Sequence, residues 1–84
     1  MENEAASLFA NLNRLHTTGP GAERIRKNLG IAAADVVACC RRLVEMPGAS
    51  ITQRGKNWYV SSGGCLVTVN ASSFTIITAH KTGN

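Results

Sequence analysis

At Pro47-Gly48 the spacing of the apolar residues changes, and this constrains the fold more than any other feature of the 84 residues. Before that point apolar side chains recur every three or four positions. After it they alternate. One switch of period means helices and strands are segregated along the chain rather than interleaved. The expected fold class is therefore α+β, with three N-terminal helices packed on one face of a C-terminal four-stranded antiparallel sheet. The length suits one domain over 1–84, helical over about 2–46 and sheet over about 50–81.

The first helix is expected over about Glu2 to Leu15, because Leu8, Leu12 and Leu15 share a face. The stretch His16 to Gly21, HTTGPG, breaks it. A second, short helix runs over Ala22 to Leu29, with Ile25 and Leu29 inward and Gly30 as its C-terminal cap. Arg24, Lys27 and Asn28 share its other side. The third is expected over about Ala33 to Met46. Val36, Val37, Cys40, Leu43 and Val44 form its apolar face, and Arg41 and Arg42 look outward. Four strands follow: Ser50–Arg54, Asn57–Ser61, Cys65–Asn70 and Ser73–His80.

The hairpins can be registered from their loops. With Gly63-Gly64 as a two-residue loop, Val60 opposes Val67 and Trp58 opposes Val69. With Ala71-Ser72 as the next, Val69 opposes Phe74, Val67 opposes Ile76 and Cys65 opposes Thr78. This register gathers Trp58, Val60, Val67, Val69, Phe74 and Ile76 on one face, the one the helices cover. The open face then carries Asn57, Tyr59 and Ser61, then Leu66, Thr68 and Asn70, then Ser73, Thr75, Ile77 and Ala79, with Lys81 beyond. Tyr59, Thr68 and Thr75 make one cross-strand row, and Asn57, Asn70 and Ser73 the next. By the same alternation His80 has the parity of the covered face.

Net charge is +4, and from Arg14 onward nine Lys and Arg stand against only Glu23, Asp35 and Glu45. A small basic domain favours an anionic partner, most often nucleic acid. The open face supplies an aromatic to stack a base, hydroxyls and amides for sugars and base edges, and cations for phosphate. The expected contact residues are Arg24, Lys27, Arg41, Arg42, Arg54, Lys56, Asn57, Tyr59, Thr68, Asn70, Thr75 and Lys81. RNA is expected above DNA. A host nucleoprotein machine, blocked as an anti-CRISPR inhibitor would block it, is the protein-partner version of the same reading. The alternative is metal-independent RNA cleavage, which needs an acid, a base and a cation. His16 and His80 are the only histidines and hence the candidate acid and base.

Other chemistries lack their parts. Five acidic residues at scattered positions make no two-metal nuclease. Three cysteines, two of them adjacent, match no zinc spacing and no disulfide framework. No metal and no cofactor is expected. No membrane span or signal segment is read, and cytoplasmic residence is expected. A homodimer through a sheet edge, Ser50–Arg54 or the last strand, is a further expectation.

Three blocks carry a resemblance: LHTTGPGAERIRKNL (15–29), GKNWYV (55–60) and VNASSFTIITAHK (69–81). They resemble the hallmark blocks of a small uncharacterised family of bacterial and phage proteins, a domain of unknown function. The resemblance covers nearly the whole chain after Arg14 and implies no activity. Where that family tends to place a tyrosine, this chain has Phe74. In layout alone the chain is similar to the barnase–EndoU–colicin–RelE superfold of metal-independent ribonucleases.

Overall fold

The computed structural model describes residues 4–82. The helix start expected at Glu2 lies outside them. Helix α1 spans Glu4–Ala10 and ends five residues earlier than its apolar spacing predicts. Asn11 is the reason. Its Nδ2 donates to the Ser7 carbonyl at 2.8 Å, and its backbone leaves the helical region at φ −126°. A 3₁₀ turn, Leu12–Arg14, follows, and Leu15 is extended. Leu8 and Leu15 are buried even so, because the bend returns the chain to the same core.

Helix α2, Gly19–Leu29, starts three residues earlier than expected. Thr18 caps it, its Oγ1 accepting from the Gly21 N–H at 3.0 Å, and Pro20 sits in the first turn, where no N–H is needed. The expected Gly30 cap is present at φ 69°, a left-handed conformation that costs glycine nothing. A 3₁₀ turn over Ala33–Asp35 leads into helix α3, Val36–Glu45. Val36, Cys40 and Val44, one turn apart each, are its buried residues.

The sheet is an antiparallel meander in the order β1-β2-β3-β4: Ser50–Arg54, Asn57–Ser62, Cys65–Asn70 and Ile76–Lys81. The β2–β3 register agrees with expectation, Trp58 opposite Val69 and Val60 opposite Val67. Gly63 and Gly64 turn the hairpin at φ 55° and 75°, the two positive values a tight turn of this hand requires. Helices cover the face of Trp58, Val60, Val67, Val69 and Ile76, which are all buried with Phe74.

The last strand differs from its expected register. It begins at Ile76, not Ser73, and Val69 opposes Ile76 instead of Phe74. The turn from Ala71 is longer, and Phe74 closes it at φ 60°. The ladder then slips between Thr68 and Val69. Thr68 pairs with Thr78, so Ile77 is an extra residue, bulged and partly exposed. A one-residue bulge inverts the alternation beyond it. Val67 opposes Ala79, which is buried rather than open; Leu66 opposes His80, and Cys65 opposes Lys81. His80 therefore has the open-face parity and Lys81 the parity of the covered face, the reverse of the sequence expectation.

The two outer edges of the sheet differ. Along β4 the Ile76 N–H donates to the His16 carbonyl at 2.7 Å, and Thr17 Oγ1 donates to the Ile76 carbonyl at 2.9 Å. Asn28 Nδ2 donates to the Ala79 carbonyl at 3.2 Å. The segment His16–Thr17 and helix α2 thus lie along β4 and engage Ile76 and Ala79 on that edge. Strand β1 is the opposite edge. Among the described residues no helix is long and apolar enough to cross a membrane.

Ser62 ends β2 on the covered side, and its Oγ is buried with no hydrogen-bond partner among the described residues. Burying an unsatisfied hydroxyl costs about 1–3 kcal/mol. Ser62→Ala is therefore expected to raise the unfolding free energy by about 1 kcal/mol, read as a higher urea midpoint at constant slope.

Candidate functional site

The open face has three cross-strand rows. The middle one runs Thr52, Tyr59, Thr68 and Thr78. The row toward the hairpin Gly63-Gly64 runs Ser50, Ser61, Leu66 and His80, and the row at the far end runs Arg54, Asn57 and Asn70. The expected Tyr59–Thr68–Thr75 row is corrected to one with Thr78 in place of Thr75, because the longer turn moves the strand by two residues and the bulge by one more. Ser73, expected beside Asn57 and Asn70, lies in the turn. Thr68 is only 7% exposed, because its neighbours on both sides cover it. It supports this surface but offers a ligand little.

A shallow depression of about 340 Å³ lies on the β1–β2 side of the face, lined by Ser50, Thr52, Arg54, Tyr59, Ser61 and Leu66. It joins the Tyr59 phenol, one guanidinium and three aliphatic hydroxyls. Asn57 Nδ2 reaches the Tyr59 hydroxyl at 3.5 Å and continues the polar surface toward Asn70. Lys56, in the β1–β2 turn, is exposed at that end. Of the β1 residues the sequence expectation includes Arg54 and leaves out Ser50 and Thr52, although all three alternate with Ile51 and Gln53.

A second cluster joins segments 59 residues apart. His16 forms an isolated parallel bridge with Thr75. The His16 Nδ1 lies 2.9 Å from the Arg14 carbonyl, which can only accept, so Nδ1 carries the proton. In the neutral ring Nε2 is then an acceptor, and Thr75 Oγ1 donates to it at 3.1 Å. Ser73 Oγ stands 2.7 Å from Thr75 Oγ1 and 3.2 Å from Asn70 Oδ1. Asn70 Oδ1 also accepts the N–H groups of Ser72 and Ser73 at 2.9 and 3.0 Å, fixing the turn. The Arg14 guanidinium stacks 4.6 Å from the Phe74 ring centre. The cluster is exposed, and Asn70 ties it to the end of the open face. Neither Arg14 nor Ser73 stands out by sequence spacing.

The two histidines do not meet. His16 is beside Thr75, and His80 is five strand residues further on. At about 3.3 Å per residue that is roughly 15 Å, too far for one phosphate to lie between them. Arg24 precedes Asn28 by one helical turn, so both lie on the side of α2 that borders β4. Lys27 is exposed beside it. Arg26 is engaged with Glu23 at 2.7 Å, and that hydrogen bond, with the charge behind it, lowers the Glu23 carboxyl pKa. Arg41 Nε donates to the Leu12 carbonyl at 3.3 Å and braces the bend after α1. Arg42 is exposed on α3, in the helical layer behind the sheet. Lys81 is exposed at the end of β4.

A family model described as "Protein of unknown function (DUF3781)" matches residues 9–80. The chain belongs to the DUF3781 family. No curated protein matches it, and no solved structure does, so the likeness of layout to ribonucleases finds no support. The match takes in β1 to β3, all of β4 but Lys81, and the residues of both clusters of this DUF3781 domain.

Proposed function

We propose that this DUF3781 domain binds single-stranded nucleic acid, RNA above DNA, across the open face of its sheet. The observation that carries this is the depression in which Tyr59, Arg54 and three hydroxyls converge. A base stacks on the Tyr59 ring, Arg54 holds a phosphate, and Thr52, Ser50 and Ser61 bond sugar or base edges. Arg24 along the β4 border and Lys56 at the β1–β2 turn extend the cationic rim on either side. The surplus of basic residues supports the same choice of partner.

The test is fluorescence anisotropy with a labelled 2′-O-methyl RNA strand, which cannot be cleaved. Aromatic stacking contributes about 1–3 kcal/mol per base, so Tyr59→Ala is expected to weaken binding about 5- to 150-fold. Arg54→Glu is expected to weaken it and to reduce the slope of log K against log salt by about 0.7 for the lost phosphate contact. Absence of binding at low salt, or binding that ignores both substitutions, excludes this surface.

A further inference from the structure

The His16 cluster has a geometry that a polar turn does not need. The Arg14 carbonyl orients the imidazole, Nε2 of the neutral ring is an acceptor, and the Thr75 hydroxyl lies 3.1 Å from it. A base held by an orienting group and aimed at an exchangeable hydroxyl is the arrangement general-base catalysis uses. Thr75 is delivered there by Phe74, a bulky residue at φ 60°, where a non-glycine backbone is strained. The cluster is open to solvent and lies where the Asn57–Asn70 row ends.

We propose that His16 is the general base of an RNA-cleaving centre at the end of the open face, taking the proton of a ribose 2′-hydroxyl that displaces the Thr75 hydroxyl. The inference rests on the RNA-binding reading above. The displaced Thr75 Oγ1 keeps its contact with Ser73 Oγ. The 2′-oxygen attacks the adjacent phosphorus, the O2′–P bond forms and the P–O5′ bond breaks. The proton of the 2′-hydroxyl goes to His16 Nε2, and solvent water protonates the departing 5′-oxygen. His80 is too distant to serve as that acid. Arg14, stacked on the ring next to Thr75, supplies a cation for the crowded phosphate. The products are a 2′,3′-cyclic phosphate and a 5′-hydroxyl, with no oxidant, metal or co-reactant consumed. One positioned base gives about a 10²- to 10⁴-fold acceleration, so cleavage is slow.

The experiment compares the wild type with His16→Asn on an all-ribose RNA strand and on its 2′-O-methyl counterpart. The asparagine amide can still donate to the Arg14 carbonyl but takes no proton. Ends are identified by mass spectrometry and affinity is measured by anisotropy. The expected result is cyclic-phosphate ends when the wild type meets the all-ribose strand and none from the 2′-O-methyl strand. His16→Asn should bind with unchanged affinity and cut at least 100-fold more slowly. RNA that is bound but left intact, or cut equally by His16→Asn, overturns the catalytic role and leaves the binding surface standing. RNA that is neither bound nor cut removes both.

Discussion

Trp58→Ala is expected to lower the unfolding free energy by about 3–5 kcal/mol. A domain of 84 residues has about 4–13 kcal/mol in total, so the variant is left near its folding threshold. Trp58 is almost fully buried at the centre of the covered face. Its ring lies 5.5 Å from that of Phe74, tilted by 37°. Such a pair contributes about 0.5–1.5 kcal/mol beyond the area it buries. That contact offsets a local cost, because a left-handed backbone at a bulky residue is unfavourable by about 1–2 kcal/mol. Phe74 adopts it because its ring packs inward on Trp58 while the next residue turns outward to His16. Loss of Trp58 should therefore loosen the His16–Thr75 contact as well as the core. Urea unfolding followed by far-ultraviolet circular dichroism gives the first effect. The imidazole signals of His16 in NMR give the second. Trp58→Phe should retain most of the stability. A loss below about 1 kcal/mol in Trp58→Ala contradicts the placement of this ring.

The helices and the first three strands were legible because local signals and the global pattern agree there. Gly30, Gly63-Gly64 and the alternation of β2 and β3 each place a residue where its conformation is cheapest. The end of α1 was hidden because Leu12 and Leu15 keep helical spacing, while one asparagine takes its backbone out of the helix. The last strand was misread for a different reason. Strict alternation was carried through from Phe74 to Lys81, although it breaks at the adjacent apolar pair Ile76-Ile77 and resumes in the opposite phase at Thr78, Ala79 and His80. Ile77, an aliphatic residue assigned to the wet face, was the available hint. One inserted residue exchanged the sides of His80 and Lys81. The contact between His16 and Thr75 was illegible on other grounds. It joins segments 59 positions apart through an isolated bridge, and no periodicity records such a pairing.

The open face and the His16 cluster were visible as residue types before they were visible as places. Tyr59, Asn57, Asn70 and Thr75 each carry a group suited to a nucleic-acid contact. Pairing then decided which of them are neighbours. Thr68 is buried, Arg41 is bonded to the Leu12 carbonyl, and His80 is distant from His16. What is left is two polar centres, one along the β1–β2 side of the open face and one beyond its far end, joined through Asn57 and Asn70. The sequence pattern shows which groups are present, and tertiary pairing determines which of them can act on one ligand.

Stability is expected to fall steeply with pH in the alkaline range because of Cys40. This thiol is in the middle of the buried stripe of α3 and has no exposed surface. Burial pushes it up from 9.0 to about 12, and the neighbouring Cys39 and Cys65 push in the same direction. In the unfolded chain it ionises near 9.0, whereas in the fold it stays neutral until about 12. Between those values the unfolded state has released a proton that the folded state keeps. Rising pH therefore favours unfolding in that window and has no effect through this group below it. At about 1.4 kcal/mol per pH step the upper bound is about 4 kcal/mol, with about 2 kcal/mol lost by about pH 10.5. The comparison that isolates the thiol is with Cys40→Ala. That variant starts lower at about pH 8 because of the small cavity it leaves, but it should lose about 2 kcal/mol less on going to about pH 10.5. A thiol reagent offers an independent reading at neutral pH. The half-buried Cys39 and Cys65 should be labelled in the folded protein, and Cys40 only as it unfolds. Parallel pH slopes for the wild type and Cys40→Ala, together with labelling of Cys40 at the rate of the other two, would show that α3 does not seal this thiol against the sheet.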